Sequence, residues 1–347
     1  MNFHSDNAAG ACEAVMRALH DANAGAAVAY GDDPWTAKAQ AALNDLFERE
    51  VAAFPVATGT AANALALSVL APPYGKVYCH RFAHIEEDEC GAPEFYSGGA
   101  KLGLLDGPDG RIPVEALAET LAAAAIGGVH HAQPAAISLT QATECGTVYE
   151  LDQVCALAEV AHRYGLAVHM DGARFANAVA ALGCTPAELT WKAGIDVLSF
   201  GATKNGAWAA EAVVFFDPGT AGDFAYRRKR AGHLLSKMRL ISAQLVAYCD
   251  EAVWRANAAH ANAMARRLGD GLVAQAGARL AHPLQINEVF VALSEKVAQG
   301  MLDGGVGFHG WPTSGSDVHR LVCAFNTDPA DVDRAIAIAA AAHQAPQ

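Results

Sequence analysis

Apolar and polar residues alternate in blocks along the chain, and each block has the length of one strand or one helix. Short apolar runs alternate with longer segments in which apolar residues recur every three or four positions. The strand-like runs are residues 76–79, 102–105, 136–140, 166–170, 197–200 and 212–216. This alternation predicts an α/β fold, with a mostly parallel sheet and helices on both faces.

The segment before residues 166–170 shows a helical pattern with signals at both ends. Asp152 is placed to cap the start of the helix, apolar residues from Val154 to Ala161 recur at helical spacing, and Gly165 ends it. The strand that follows would deliver the next residue, Asp171, to the edge of the sheet.

The C-terminal third predicts a second, smaller unit. Residues 240–268 form an alanine-rich helical stretch that Gly269 would stop. Residues 286–293 and 321–325 resemble strands, and Asp328-Pro329 begins a final helix because proline is favoured at the first helical position. We therefore predict a large domain over residues 1–240, with an N-terminal arm, and a small α+β domain over residues 241–347.

Composition excludes several classes of function. Apolar residues make up 52% of the 347 residues, but no uninterrupted apolar stretch is long enough to span a membrane. A formal net charge of -13 argues against nucleic acid as a partner. Residues 1–10 lack the pattern of a secretory signal, so a cytoplasmic location is predicted.

Cysteines and histidines give no metal-binding pattern. The eight cysteines are far apart, without a Cys-x-x-Cys pair, and are interpreted as buried thiols rather than zinc ligands or disulfides. No His-Glu-x-x-His spacing occurs among the 14 histidines. No metal site is predicted.

Two motifs near the middle of the chain carry the strongest chemical signal. Asp171 lies in His-Met-Asp-Gly-Ala-Arg, and Lys204 lies 33 residues later in Ser-Phe-Gly-Ala-Thr-Lys-Asn-Gly. Each follows a strand-like run, so both side chains are expected at the sheet edge where such folds bind ligands. A lysine and a carboxylate there can hold pyridoxal 5'-phosphate (PLP), the lysine as Schiff base and the aspartate at the pyridinium nitrogen. Either motif alone is more typical of an ordinary solvated turn.

A third motif favours phosphate binding. Thr58-Gly59-Thr60 precedes an apolar helical run that includes Asn63. A turn that opens a helix presents unpaired N–H groups at the positive end of the helix dipole. Alone it would be more simply a threonine N-cap. Together with Asp171 and Lys204, it favours a site for the phosphate of PLP.

With these motifs the chain resembles the low-specificity L-threonine aldolases of the beta-eliminating lyase family, which are fold-type I PLP enzymes. Other matching segments are residues 3–7, 30–34 with Thr36, 83–85 with Glu89 and Gly91, and 319–322. The resemblance implies the aspartate-aminotransferase-like PLP-dependent transferase fold, with a seven-stranded sheet. It also implies retro-aldol cleavage of L-threonine, L-allo-threonine and β-hydroxy-α-amino acids such as phenylserine to glycine and an aldehyde.

The resemblance further implies roles for individual residues. The cofactor site would comprise Gly59, Thr60, Asn63, His84, Asp171, Arg174, Lys204 and Arg239. In this set His84 would stack on the cofactor ring, and Arg239 would approach the cofactor phosphate of a neighbouring subunit. That contact would place Arg239 at a dimer interface. The resemblance implies a homo-oligomer with active sites at subunit interfaces, expected to be a homotetramer built as a dimer of dimers, and the choice between dimer and tetramer stays open. The basic stretch 227–239, taken by itself, is more typical of a solvated helix face.

By the same resemblance, the amino-acid substrate is held through its carboxylate by Ser5, Arg174 and Arg320. The rigid fork of arginine suits a carboxylate because it can donate two parallel hydrogen bonds. Without the resemblance, Arg320 would be interpreted as a surface ion pair at the start of a strand. His84 would likewise be interpreted as an ordinary core or surface histidine.

One departure from the family pattern concerns the catalytic base. The family commonly has Glu-Asn-Thr-His where this chain has Gln-Ala-Thr-Glu at residues 141–144, so Glu144 would replace the histidine. An ionised carboxylate can accept the proton of the substrate hydroxyl, directly or through a water. Glu144 is equally consistent with a simple loop residue, and the preferred side chain at Cβ, that of threonine or of a bulkier substrate, stays open.

Two alternative functions stay open at this point. The same scaffold supports aminotransferases, β-eliminating lyases and racemases, because a fold does not determine chemistry. A protein that binds PLP without catalysis is a less favoured alternative, because the lysine and both arginines are present.

Overall fold

A computed structural model describes residues 1–124 and 128–345 of the chain. The strands are β1 (Ala52–Val56), β2 (Gly75–His80), β3 (Lys101–Leu105), β4 (Gln133–Thr140), β5 (Ala167–Gly172), β6 (Val197–Gly201), β7 (Glu211–Phe215), β8 (Arg279–Leu280), β9 (Glu288–Ala292), β10 (His309–Gly310) and β11 (Val318–Val322). The helices are α1 (Glu13–Ala22), α2 (Pro34–Leu46), α3 (Gly59–Leu70), α4 (His84–Glu87), α5 (Ala92–Ser97), α6 (Val114–Ala124), α7 (Leu151–Arg163), α8 (Phe175–Leu182), α9 (Phe224–Arg230), α10 (Arg239–Tyr248), α11 (Glu251–Ala276), α12 (Glu295–Asp303) and α13 (Pro329–Gln344).

The larger sheet has seven strands in the order β1-β7-β6-β5-β4-β2-β3. Only β7 runs against its neighbours, pairing antiparallel with both β1 and β6. The predicted α/β fold with a mostly parallel seven-stranded sheet is therefore confirmed. All six predicted strand runs lie in this sheet, whereas β1 was not predicted as a strand.

The direction of these strands brings distant segments to one edge. Because β1 and β6 both pair antiparallel with β7, they run the same way and end at the same edge as β5. The turn before α3, the end of β5 and the loop after β6 therefore lie at a common edge. Glu211, the first residue of β7, also lies there, opposite Gly201 and Val56.

The smaller sheet has four strands in the order β10-β11-β9-β8 and packs against α11, α12 and α13. The N-terminal segment joins this unit, because Phe3 is buried in its core and the amide of Val322 donates to the Phe3 carbonyl at 2.8 Å. Asp6, three residues after Phe3, contacts both units, because it accepts hydrogen bonds from Arg174 and from Asn287. The division at residue 240 stays a prediction, and residues 346–347 of the predicted second domain lie outside the described ranges.

The helix predicted over residues 240–268 begins where expected, but it is interrupted at residues 249–250 and continues past Gly269. The segment forms α10 and α11, and Asp250 caps α11 by accepting a hydrogen bond from the amide of Ala252 at 2.9 Å. Gly269 lies inside α11, where a Cβ would approach Leu284 to 2.5 Å. Gly277, with a φ of 63°, ends the helix instead. Glycine is needed at position 269 for packing and at position 277 for the left-handed backbone.

Smaller corrections concern the cap of α7, one strand and the cysteines. Glu150 and Gln153 form a capping box, and Asp152 lies within the first turn. The strand predicted over residues 321–325 is β11, so Arg320 is its third residue and not its start. Cys90 is exposed and three other cysteines are partly exposed, so the prediction of buried thiols holds only for the remaining four. The final helix begins at Pro329 with Asp328 as its cap, as predicted.

Within the described ranges, no helix combines the length and the apolar character that crossing a membrane requires. The basic stretch includes α9, whose last turn carries Arg227, Arg228, Lys229 and Arg230. This helix lies beside the turn that precedes α3, because Arg228 donates to the Pro55 carbonyl at 3.2 Å.

Candidate active site

The edge of the seven-stranded sheet collects the motifs that the sequence analysis identified. Asp171 is buried in β5, and Lys204 lies in a short 3-10 turn directly after β6, the neighbouring strand. Lys204 is half-buried, and its positive charge acts on the carboxylates of Asp6 and Glu211. The structure thus places one amine and one buried carboxylate at adjacent strand ends.

The Asp171 carboxylate is held by two donors. Nδ2 of Asn63 donates to its Oδ2 at 2.9 Å, and the amide of Ala173 donates to its Oδ1 at 3.0 Å. Asn63 lies in the first turns of α3 and is buried. These two hydrogen bonds fix the orientation of the carboxylate at the edge of the sheet.

His84 and Glu89 extend this network. Nδ1 of His84 lies 2.9 Å from Oε1 of Glu89, which also accepts a hydrogen bond from Asn63 at 2.8 Å. Burial disfavours the charged imidazole, but the hydrogen bond to Glu89 and the charge of Asp171 outweigh it and raise the pKa of His84. Burial raises the pKa of Glu89 despite the hydrogen bonds that it accepts. Both groups therefore hold a proton more readily than a free histidine and a free glutamate would.

The potential ligand atoms of His84, Glu89 and Asp171 lie within 4.8 Å of one another. The hydrogen bonds that Asn63 donates to Glu89 and Asp171, together with the one between His84 and Glu89, account for this closeness without a metal ion. Two buried atoms of the network, Oδ1 of Asn63 and Oε2 of Glu89, have no hydrogen-bond partner among the described residues. Such atoms mark a place where a further polar group can bind.

The turn before α3 has the form of an anion site. Thr58 is the N-cap, and its Oγ1 accepts a hydrogen bond from the amide of Ala61 at 3.2 Å. The amides of Gly59 and Thr60 precede the first intrahelical bonds, and a Cβ at position 59 would have no atom within 4 Å. A phosphate can therefore approach these amides at the positive end of the helix.

These residues fit PLP. The turn of Thr58 to Thr60 suits its phosphate, Asp171 its ring nitrogen and Lys204 its aldehyde, while His84 lies beside Asp171 where a ring could stack. Arg239 is placed differently: both of its terminal nitrogens donate to the Gly25 carbonyl at 3.2 Å. Within the described residues, Arg239 contacts none of the groups that would hold PLP.

The predicted substrate clamp is only partly assembled. Arg174, at the start of α8, is buried and donates to Asp6 from Nε at 2.8 Å and from Nη2 at 3.1 Å. Desolvation opposes its charge, but Asp6 and Glu288 outweigh it and raise the pKa of Arg174 further. Arg174 is therefore already paired with Asp6, an acid that the resemblance had not assigned a role.

The other two predicted clamp residues lie in different surroundings. Arg320 stacks its guanidinium over the ring of Trp311, 4.3 Å from the ring centroid, and its Nε is buried without a partner among the described residues. Ser5 uses its Oγ to accept a hydrogen bond from the amide of Asn7 at 3.1 Å. Ser5 also lines a separate surface cavity with Thr327. The structure brings Arg174 and Arg320 together around Glu288, and Ser5 directly precedes Asp6, the partner of Arg174, so the role of Ser5 in the clamp stays a prediction.

Glu144 lies in the loop after β4 and faces the same region. It is half-buried, and its charge acts on His84, Arg174 and Glu288. It lines a cavity of about 210 Å³. The lining residues are Phe82, Glu87, Asp88, Glu144, Cys145, Gly310, Trp311, Pro312 and Thr313. Glu144 therefore lies near Arg174 and also lines a cavity whose wall includes the aromatic residues Phe82 and Trp311.

Glu211 is a buried carboxylate that the sequence analysis did not identify. Its Oε2 accepts a hydrogen bond from the amide of Ala202 at 3.2 Å, in the loop that carries Lys204. Burial raises its pKa to about 7, although Thr203 and the charge of Lys204 oppose the shift. The sequence feature that could have indicated Glu211 is its charge at the start of the otherwise apolar run 211–215.

Asp6 and Glu288 were also missed as site residues. Asp6 lies in the matching N-terminal segment, but nothing local predicts that it pairs with Arg174. Glu288 begins β9 and is buried, so a carboxylate next to the apolar run 289–293 could have indicated it.

Comparison with known proteins is consistent with this geometry. The family model described as beta-eliminating lyase matches residues 2–296. A low specificity L-threonine aldolase from Pseudomonas sp. is 44% identical over 330 residues, which cover 95% of this chain and 94% of that protein. A low specificity L-threonine aldolase from Escherichia coli K12 is 30% identical over 196 residues, which cover 55% of each chain.

Solved structures show the same architecture. The threonine aldolase of Leishmania major superposes with a TM-score of 0.91 at 25% identity, covering 97% of this chain and 98% of that one. A structure of SPT with PLP superposes with a TM-score of 0.71 at 19% identity, covering 99% of this chain and 87% of that one. The second likeness is one of fold alone.

Proposed function

Because the chain belongs to the beta-eliminating lyase family, with threonine aldolases among its relatives, we propose that it cleaves L-threonine and L-allo-threonine to glycine and an aldehyde. PLP is the cofactor of this family. Related β-hydroxy-α-amino acids such as phenylserine belong to the proposed substrate class. The observation that carries the proposal is the placement of Lys204 and Asp171 at adjacent strand ends, beside the turn that opens α3.

Lys204 and Asp171 have distinct tasks in this proposal. Lys204 would hold the cofactor aldehyde through its side-chain amine. Asp171, oriented by Asn63, would lie at the ring nitrogen, where a carboxylate favours the protonated form of that nitrogen. Bound PLP supplies an electron sink for the charge that develops at Cα when one of its bonds breaks.

The orientation of the substrate decides which of its bonds breaks. An arginine of this chain would set that orientation by binding the substrate carboxylate. Only a bond perpendicular to the ring overlaps its π system, so the carboxylate must be held in one place. Arg320 is the better candidate for this contact, because Arg174 already makes two hydrogen bonds to Asp6. Arg174, held by Asp6, would then form part of the wall of the site.

Glu144 is proposed to accept the proton of the substrate hydroxyl. It is half-buried beside the region of His84 and Arg174, and it opens onto the cavity that Trp311 lines. A base must lie within reach of the proton that it removes, and this position provides that reach for a hydroxyl on Cβ. The adjoining cavity receives the substituent of Cβ.

Assembly and location are extensions of the same proposal. We propose a homotetramer, a dimer of dimers, in which Arg239 reaches the cofactor phosphate of a neighbouring subunit, as the family resemblance implies. The partial exposure of Arg239 leaves it available for that contact. The cytoplasmic location likewise stays a proposal, supported by the eight free thiols.

Product analysis with L-threonine tests the function. The protein loaded with PLP should release acetaldehyde and glycine in equal amounts, without an added keto acid. Ammonia with a 2-oxo acid would indicate β-elimination, and a requirement for a keto acid would indicate amino transfer. A protein that binds PLP without catalysis would give none of these products. Each of those results would contradict the proposal.

A further inference from the structure

Glu288 is a buried carboxylate in direct contact with the predicted substrate clamp. Its side chain is fully buried, and Oε1 lies 3.2 Å from Nη2 of Arg174 and 3.9 Å from Nη1 of Arg320. Neither of its oxygens makes a hydrogen bond of good geometry with any described residue. A buried carboxylate in this state is costly, so its retention beside two arginines needs an explanation.

The two arginines beside Glu288 are already matched by buried anions before any substrate arrives. Arg174 is paired with Asp6 through two hydrogen bonds, and Glu288 is the buried anion within reach of Arg320. The half-buried Glu144 is a further anion beside this group. Addition of a substrate carboxylate would therefore bring an uncompensated negative charge into a largely buried site, which is strongly unfavourable.

We propose that Glu288 stands in for the substrate carboxylate at Arg320 in the free protein and takes up a proton when an amino acid binds. Protonation removes the surplus charge and frees the arginine for the incoming carboxylate. The inference rests on the proposed function, because it requires that Arg320 binds the carboxylate of an amino acid. It adds a coupling between substrate binding and proton uptake.

The groups that face Glu288 come from four different segments. They are Arg174 at the start of α8, Arg320 in β11, Glu144 in the loop after β4 and Asp6 in the N-terminal segment. Burial raises the pKa of Glu288, both arginines oppose the shift, and Glu144 and Asp6 add to it. The carboxylate of a substrate bound at Arg320 would act in the same direction as Glu144 and Asp6, and would raise the pKa of Glu288 further.

A structural role alone would predict a different outcome. If Glu288 only held Arg174 in place, it would stay ionised on both sides of the binding step, and no proton would be taken up. Asp6 already holds Arg174 with two hydrogen bonds at 2.8 and 3.1 Å, so Glu288 is not needed for that task.

Calorimetric titration of the PLP-loaded protein with glycine tests the coupling. Glycine carries the carboxylate but no β-hydroxyl, and titration in two buffers of different ionisation enthalpy counts the protons exchanged. Above the pKa of Glu288, the unmodified protein should take up about one proton more than Glu288→Gln. Its affinity for glycine should then fall about tenfold per pH unit relative to that variant. Glu295→Gln, a change at an exposed acid of α12, should behave like the unmodified protein.

Equal proton counts for the unmodified protein and Glu288→Gln across pH 6 to 9 would overturn the inference while leaving the proposed function intact. An infrared difference spectrum of the unmodified protein does not depend on the stability of that variant. On addition of glycine it should gain the carbonyl band of a protonated carboxylic acid, and absence of this band over the same range would also overturn the inference. Failure of the unmodified protein to bind glycine at all would overturn the proposed function together with the inference.

Discussion

Nδ2 of Asn63 donates a hydrogen bond of 2.9 Å to Oδ2 of Asp171, and so joins residues that are 108 positions apart in the chain. The bond ties the first turns of α3 to the end of β5. The same nitrogen donates to Glu89 at 2.8 Å. The side chain of Asn63 therefore links the helix that follows the phosphate-type turn to the carboxylate proposed for the ring nitrogen.

Asp171→Asn should abolish most of the catalysis while it preserves the fold. The substitution removes the charge with almost no change in shape, and the new amide has one acceptor oxygen, so it cannot accept from both Asn63 and Ala173. We expect kcat for threonine cleavage to fall by on the order of 10²-fold or more, because a preorganised charge at the reacting centre is lost. Steady-state kinetics at saturating PLP measure this.

The matched control is Asp106→Asn, which changes an exposed aspartate directly after β3 that pairs with Arg81. Its turnover should stay close to that of the unmodified protein. Turnover of Asp171→Asn at the same level would rule out the role of Asp171.

Glu144→Gln should separate glycine binding from threonine cleavage. Glycine has no β-hydroxyl, so its binding should be preserved, whereas aldehyde release should slow by about 10²-fold, the usual size of a general-base effect. Glu86→Gln, at an exposed acid of α4 outside the lining of the cavity beside Glu144, is the control and should leave both steps unchanged. If Glu144→Gln affected both steps equally, or neither, the base would have to be another group.

Glu211 should make the stability of the cofactor-free protein depend on pH. Its folded-state pKa is about 7, against an ordinary value of 4.5, so the native state binds the proton more tightly than the unfolded state. The free energy of unfolding should therefore fall as pH rises from about 4.5 to 7, by at most about 3 kcal/mol from this residue. Urea denaturation at a series of pH values measures the slope.

Glu211→Gln should flatten that dependence, because an amide does not titrate. Glu50→Gln, at an exposed acid before β1, serves as the control and should keep the slope of the unmodified protein. Identical slopes for Glu211→Gln and the unmodified protein would contradict the assignment.

Local patterns in the sequence were sufficient for the fold class and for the three motifs of the cofactor site. Lys204 and Asp171 follow apolar runs that become neighbouring strands, and Thr58 opens a helix, so each signal lies within a few residues. The end of α11 was missed because the role of Gly269 depends on packing against Leu284, a contact that the local pattern does not contain.

The ion pairs of the substrate region could not be predicted for a related reason. Asp6 and Arg174 are 168 positions apart, and only the folded chain brings them together. The resemblance assigned Arg174 to the substrate, whereas the structure pairs it with Asp6 and leaves Glu288 facing Arg320. Partners chosen by tertiary structure are absent from local sequence patterns.

Lys204→Ala should remove the visible absorbance of the lysine-bound cofactor together with turnover, while the protein stays folded. Lys204→Arg should fail equally, because a guanidinium does not form the Schiff base. Absorbance spectra and circular dichroism of both variants check this. Lys192→Ala, a change at a lysine that pairs with Glu48 on the surface, is the control and should keep both properties.

The most direct test is to reduce the PLP-loaded protein with borohydride and to identify the modified lysine by peptide mass spectrometry. Reduction makes the Schiff base permanent, so the label reports which amine held the cofactor. We predict the label on Lys204, in the peptide that follows β6, and its absence from Lys204→Ala. A label on another lysine of the unmodified protein, retained in Lys204→Ala, would contradict the proposed site.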